Sequence, residues 1–397
     1  KGRKGDHSVL GAEIALQLCP RLGLNEWETE TVSWLVEKHL LMSMLAFKRD
    51  LSDPQTVTDF VAKVQSPERL RLLLILTVAD IRAVGPKVWN AWKAELLREL
   101  YYAAQEVLTG TLPGDRRKQG IEKAKSALRE NLAEWDADWV ANWIEDYLAR
   151  GSDGYWLAYD ARTMARHAHI VHDAEQKGAL LDIRTTIDTG RDITEIIIYA
   201  PDHPGMFASI AGVMALSKAS IADAKIATFA DGMAIDTFWI QDEDGGAYSE
   251  KRRIDQLCER IRSALQGEMV PARELDKTRN RIMKTMRNRT QVFGVPPRVL
   301  IDNTISNSAT VIEINGRDRL GLLFDLTSVL TDQRLQINSA HISTYGERVV
   351  DVFYVKDAFG LKITNESRID TVRERLLEAI APNSKSDQKS VPVKEAS

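Results

Sequence analysis

From Thr194 onward the sequence writes one pattern twice, and nothing else in the chain limits the fold as tightly. The first copy reads as a strand from Glu195 to Tyr199, the turn Asp202-His203-Pro204-Gly205, and a helix to about Leu216. Strands around Ile221 to Phe229 and Met233 to Gln241 follow, then a helix from Glu250 to Leu265. The second copy repeats this order with Thr310 to Ile314, Asp318-Arg319-Leu320-Gly321, a helix to about Thr331, strands Ile337 to Thr344 and Arg348 to Lys356, and a helix from Glu366 to Ile380. Alternating apolar residues give the strands, and apolar residues spaced three and four apart give the helices. Asp202 matches Asp318, Gly205 matches Gly321, Ile221 matches Ile337, Ile226 matches Ile342 and Thr228 matches Thr344. After a one-residue slip, Asp236-Thr237-Phe238-Trp239 matches Asp351-Val352-Phe353-Tyr354. Each copy predicts a ferredoxin-like βαββαβ unit whose final short strand is weakly marked.

The N-terminal part has a different period. From Ser8 to about Arg150 apolar residues recur at helical spacing, with Pro20, Pro54, Pro67, Pro86 and Pro113 falling between segments, which predicts an all-α domain. The expected organisation is a helical domain over residues 1–150, a linker over 151–193, the first α+β unit over 194–270, a basic connector over 271–308, the second unit over 309–382 and a disordered tail over 383–397. A length of 397 residues suits several domains, and the 44% hydrophobic fraction is that of a globular chain. A net charge of -4 leaves no overall basic field for nucleic acid, and no apolar run is long enough for a membrane span. Cys19 and Cys258 form no paired motif and read as buried thiols of a cytoplasmic protein.

Several residues are candidates for chemistry. In each repeat the Asp-x-x-Gly turn opens a helix, so free backbone N–H groups and the positive helix end can receive a ligand carboxylate, and glycine permits close approach. Asp202 and Gly205, with Asp223 on the neighbouring strand, form one candidate set; Asp318, Gly321 and Asn338 form the other. Leu320 stands where the first copy has Pro204, which predicts a looser second loop. In the helical domain His7, His39 and Asp80 are candidate metal ligands from different helices, a donor set suited to Zn, Mn or Fe. His167, His169 and His172 lie beside Arg162 and Arg166 and read as an exposed linker helix, and the arginines of residues 273–298 read as a solvated helix face. Asp242-Glu243-Asp244-Gly245 reads as a hairpin turn rather than a magnesium motif.

The segments KGRKGDHSVLGAE, WLVEKHLLMSMLAFKRDLSDPQTV, LTVADIRAVGPKVWNAWKAELLRELY and DGYWLAYDARTMARHAHIV resemble the bacterial bifunctional uridylyltransferase/uridylyl-removing enzymes of the PII signal protein. The resemblance implies an HD-type metal phosphohydrolase domain followed by two ACT domains that sense L-glutamine. It also implies a parent enzyme that adds UMP to PII from UTP and removes it by hydrolysis with a divalent metal, Mg or Mn, and Zn or Fe in the HD domain. Asp80 matches the closing Asp of the HD ligand set, and His7 and His39 match additional histidines. In that family Lys1-Gly2 follows a His-Asp metal pair, so the chain is expected to begin inside the motif, and a fragment without that pair is expected to turn over little. Two other readings remain: a guanosine tetraphosphate synthetase/hydrolase, which also joins an HD domain to an ACT domain, and a non-catalytic amino-acid sensor.

Overall fold

The computed structural model describes residues 6–85, 88–108, 116–133, 137–285, 297–345 and 348–381. Its first part is helical: α1 (His7–Leu18), α2 (Glu26–Lys38), α3 (Leu41–Lys48), α4 (Pro54–Val64), α5 (Pro67–Val84), α6 (Ala91–Leu108), α7 (Arg116–Ala133), α8 (Ala137–Arg150), α9 (Asp153–Ala158) and α10 (Ala161–Lys177). Local chemistry sets where these helices start. Asn25 and Glu28 form a reciprocal capping box at α2. Asp53 and Ser66 cap α4 and α5 immediately before the prolines that open them. Met42, Phe60, Leu70, Leu73, Leu97 and Leu100 are buried together and bind α3 to α6 into one bundle.

Next come β1 (Asp182–Asp188), β2 (Ile193–Pro201), α11 (Met206–Leu216), β3 (Ser220–Thr228), β4 (Met233–Gln241), α12 (Lys251–Leu265) and α13 (Pro271–Thr285). The chain continues through β5 (Arg298–Asp302), β6 (Thr310–Arg317), α14 (Leu322–Asp332), β7 (Leu335–Tyr345), β8 (Arg348–Asp357) and α15 (Glu366–Ile380). The strands form a single eight-stranded sheet in the order β1-β2-β4-β3-β7-β8-β6-β5. Each half holds one repeat, and the halves join where β3 runs antiparallel to β7.

Three expectations need correction. The fourth strand of each repeat comes before the motif rather than after it: β1 pairs with β2 and β5 pairs with β6, which makes each unit ββαββα. The sequence Asp182 to Asp188 (DIRTTID) is a partly exposed edge strand, and half-polar edge strands carry a weak apolar signal. Residues 151–193 are therefore not a free linker, and residues 271–308 are not a free connector. The histidine-bearing helix α10 is no exposed element either, because His167 is fully buried. Its Nδ1 lies 3.0 Å from the Tyr155 hydroxyl and its Nε2 2.9 Å from Thr237 Oγ1. Finally, Leu275 of α13 is buried and Arg279 bonds to the second loop, so this face of the connector is packed rather than solvated. Cys19 is buried as expected, whereas Cys258 is half-buried.

The sheet has two differently covered faces. One carries α11, α12, α14 and α15 over a shared core that includes Ile196, Phe238, Leu326 and Phe353. The opposite face of the first unit presents Ile197, Tyr199, Ile235 and Trp239 to α7–α10. Trp239 also stacks on Trp92 of α6, ring centroids 6.0 Å apart. On the second unit, the Asp50 amide donates to the Tyr354 hydroxyl at 2.9 Å, and Ser306 bonds to Asp53. The sheets thus meet edge to edge, and the N-terminal helices cover the face that each unit leaves open.

Candidate functional site: two glycine loops and a charged seam

Gly205 and Gly321 occupy equivalent left-handed positions, φ 85° and 74°, and are the residues from which α11 and α14 start. Positive φ is what glycine supplies without steric cost. A side chain at Gly205 would meet only Thr331 Cγ2, at 3.6 Å. Asp202 lies exposed beside it, and its Oδ2 accepts a hydrogen bond from Thr228 Oγ1 at 2.7 Å. The second loop is covered. A Cβ on Gly321 would stand 2.5 Å from Arg279 Nη2 and 3.1 Å from Leu275. Arg279 donates through Nε to the Leu320 carbonyl at 3.0 Å and through Nη2 to Asp325 at 2.8 Å, while Arg319 pairs with the same carboxylate. The expected looseness of the Leu320 loop is answered by this arginine.

Asp223 and Asn338 sit elsewhere. Asp223 is buried at the β3–β7 junction, its Oδ1 3.0 Å from His341 Nδ1 and away from the loops. Asn338 is exposed at the register shift between Ile337 and Ser339.

Around Asp223 lies a group of charges absent from the sequence-based site. Asp50, in the turn after α3, accepts a 2.8 Å hydrogen bond from Ser339 Oγ on β7. Lys225 of β3 donates to the Ala158 carbonyl at 2.5 Å and lies over the rings of Tyr159 and Trp239. Burial would discharge Asp50, Lys225 and His341, but the opposite charges beside each of them outweigh it. Lys225 is held above its ordinary pKa by Asp50, Glu99 and Asp223. Asp50 is held below its own by Lys225 and His341. His341 is raised by Asp223 and Asp50. The seam therefore ties together the helical part and both repeats.

One further pair repeats between the units. Asp236 on β4 and Asp351 on β8 are each 2% exposed, and the Oδ1 atom of each has no hydrogen-bond partner. Burial, then the charge of Asp202, pushes Asp236 well above the carboxylate range. Burial, then Asp318, pushes Asp351 up to about 8. Sequence reasoning used these residues only to align the repeats; a carboxylate at an inward strand position was the available signal.

In the helical part, the rings of His7 and His39 are 5.5 Å apart, and His39 Nδ1 is 2.7 Å from the Val36 carbonyl. Asp80 is exposed on α5. Among the described residues no three His, Cys, Asp or Glu side chains gather as a metal-holding group. His7, His39 and Asp80 by themselves do not fit a complete divalent-metal site. No described helix is long and apolar enough to cross a membrane.

Two ββαββα units joined edge to edge and seated on a helical region define a multidomain protein with ACT-like units. Residues 305–382 match the family described as "ACR family N-terminal ACT domain". Over 382 residues, 96% of its length, the chain is 54% identical to the bifunctional uridylyltransferase/uridylyl-removing enzyme of Azospirillum brasilense and covers 40% of that protein. It is 47% identical over 380 residues to the enzyme of the same description from Gluconobacter oxydans and 48% identical over 380 residues to that from Rhodospirillum rubrum. In each case it covers 96% of this chain, and 39% and 40% of those relatives. Over nearly its whole length the chain is thus similar to bifunctional uridylyltransferase/uridylyl-removing enzymes, and it spans about 40% of the length of the curated relatives it matches.

Proposed function

We propose that this chain is the regulatory and phosphohydrolase-type region of an enzyme that attaches UMP to the PII signal protein and removes it, and that its paired ACT units sense L-glutamine. The helical part corresponds in this reading to an HD-type domain, where a divalent metal (Mg or Mn, or Zn or Fe), when bound, would supply activated water for phosphodiester hydrolysis. In this reading His7, His39 and Asp80 would contribute donors to such a site, which they do not complete by themselves.

The observation that carries the sensing role is the uncovered Gly205 loop, where a side chain on the glycine that starts α11 would meet only Thr331 and the neighbouring Asp202 is exposed. A zwitterionic amino acid needs both charges met, and this loop offers both. The Gly321 loop is the weaker candidate because Arg279 covers it. Asp223 serves the seam in this reading, carrying the state of the loop to the helices through His341, Lys225 and Asp50. Coupling of the usual ~1 to 3 kcal/mol between sites is sufficient for regulation.

Isothermal calorimetry of the chain with L-glutamine, and separately with guanosine nucleotides, tests the assignment. Glutamine binding that is lost in Gly205→Val supports it. Binding of guanosine nucleotides without glutamine would replace it with a stringent-response role.

A further inference from the structure

We propose that Asp236, with Asp202, is the ammonium subsite of the first loop, so that an α-amino acid docks with its carboxylate at the start of α11 and its amino group over the inner face of β4. The inference rests on the amino-acid-sensing reading and names the residue that would confer specificity for an amine.

The argument starts from strand geometry. Successive side chains alternate between sheet faces, and residues directly opposite each other on paired strands share a face. Asp236 lies opposite Ile198 of β2 and Ile226 of β3, and Ile198 belongs to the core under the helices. Two residues along β4 stands Ala234, opposite Ala200 and Thr228. Asp202 follows Ala200 by two residues and bonds to Thr228, so Asp202, Thr228 and Asp236 line one corner of one face. The residues between them, Ala200 and Ala234, are among the smallest available.

A buried carboxylate without a partner on one oxygen is costly unless it is protonated or meets a cation. Asp236 is in that condition, and the charged neighbour acting on it is another acid, Asp202. Nothing in α11 overhead can answer it, since Met206 to Leu216 contains no charged residue. An arriving ammonium would supply what both carboxylates lack, while the adjacent helix start supplies what the ligand carboxylate lacks.

The second repeat has the same acid, Asp351, but its corner is filled. Val349 stands where the first unit has Ala234, a Cβ on Gly316 would come within 2.6 Å of Ile380, and Arg279 lies over Gly321. The subsite therefore belongs to the first unit.

Calorimetry on the whole chain with two probes tests this: L-glutamine, and its analogue lacking the α-amino group, 4-carbamoylbutanoate. Replacing one charge-assisted contact changes affinity by roughly tenfold or more. Wild-type chain should bind glutamine more tightly than the analogue by that factor. Asp236→Asn should erase the preference by weakening glutamine alone, with analogue affinity unchanged. Asp202→Asn, at an exposed position that tolerates the change, should act in the same direction and decides the matter if Asp236→Asn does not fold. Undiminished preference for glutamine in both variants would overturn the subsite while leaving glutamine sensing intact. Equal loss of both probes in Asp236→Asn would assign the residue a structural role only. If wild type binds neither probe, the sensing reading fails and the subsite fails with it.

Discussion

His341 Nδ1 lies 3.0 Å from Asp223 Oδ1 across the only register where β3 meets β7 among the described strand pairs, so one ion pair stands at the point where the two repeats become one sheet. The two side chains are 9% and 7% exposed, and removing one partner of such a pair strands the other charge.

The first prediction concerns that junction. Asp223→Ala should cost about 3 kcal/mol in urea unfolding, the usual scale for breaking a buried pair. His341 is raised above its ordinary pKa in the folded chain, so its contribution is complete below about pH 6.5 and is lost as pH rises through the raised value. A melting temperature that falls as pH rises above about 6.5 in wild type, and less steeply in His341→Gln, is the expected result.

His167 gives the opposite sign. Burial lowers its pKa to about 3, so the folded chain holds it neutral between Tyr155 and Thr237. Its stabilisation is present above about pH 6.5 and is lost progressively as pH falls toward the folded value. Thermal melts between neutral and mildly acidic pH should show a decline that His167→Gln flattens.

The two loop glycines should separate stability from binding. Both sit at positive φ, where an L-side chain costs about 1–2 kcal/mol. Gly321→Ala should cost more than Gly205→Ala, because its Cβ also meets Arg279 and Leu275. Glutamine affinity should follow the other order: Gly205→Val abolishes the calorimetric signal and Gly321→Ala leaves it in place.

Contact between the second unit and the helices can be read at Tyr354. Its hydroxyl accepts from the Asp50 amide, and Tyr354→Phe leaves that N–H without its partner at a cost of about 1 kcal/mol. Hydrogen exchange should quicken at Asp50 and along the turn to Asp53, whereas the α11 core should keep its protection.

Metal should matter little to the fold of this chain. The bundle of α3 to α6 is held by Met42, Phe60 and Leu97, and the His7–His39 pair lies outside that core. Dialysis against a chelator should leave the melting temperature unchanged; a large drop would show that metal contributes to folding.

Helices, strands and loop residues up to Ile380 were largely legible because they are decided locally. Asn25 with Glu28, Asp53 with Pro54, and Ser66 with Pro67 mark helix starts within a few residues, and the repeated Asp-x-x-Gly marks both loops. Legible from residue order alone are thus the β-α-β-β-α core of each unit, its repetition and the resemblance to a family. Tertiary structure decided which residues supply each fourth strand, that Arg279 covers one loop and leaves the other open, and that Asp50, Asp223, Lys225 and His341 share a seam. These depend on contacts such as Asp50 with Ser339, Asp223 with His341 and Arg279 with Leu320, between residues far apart in the chain. Periodicity reports the face on which a residue lies; only the packed chain reports what that face meets, and there burial and pairing set whether a charge is costly, structural or free for a ligand.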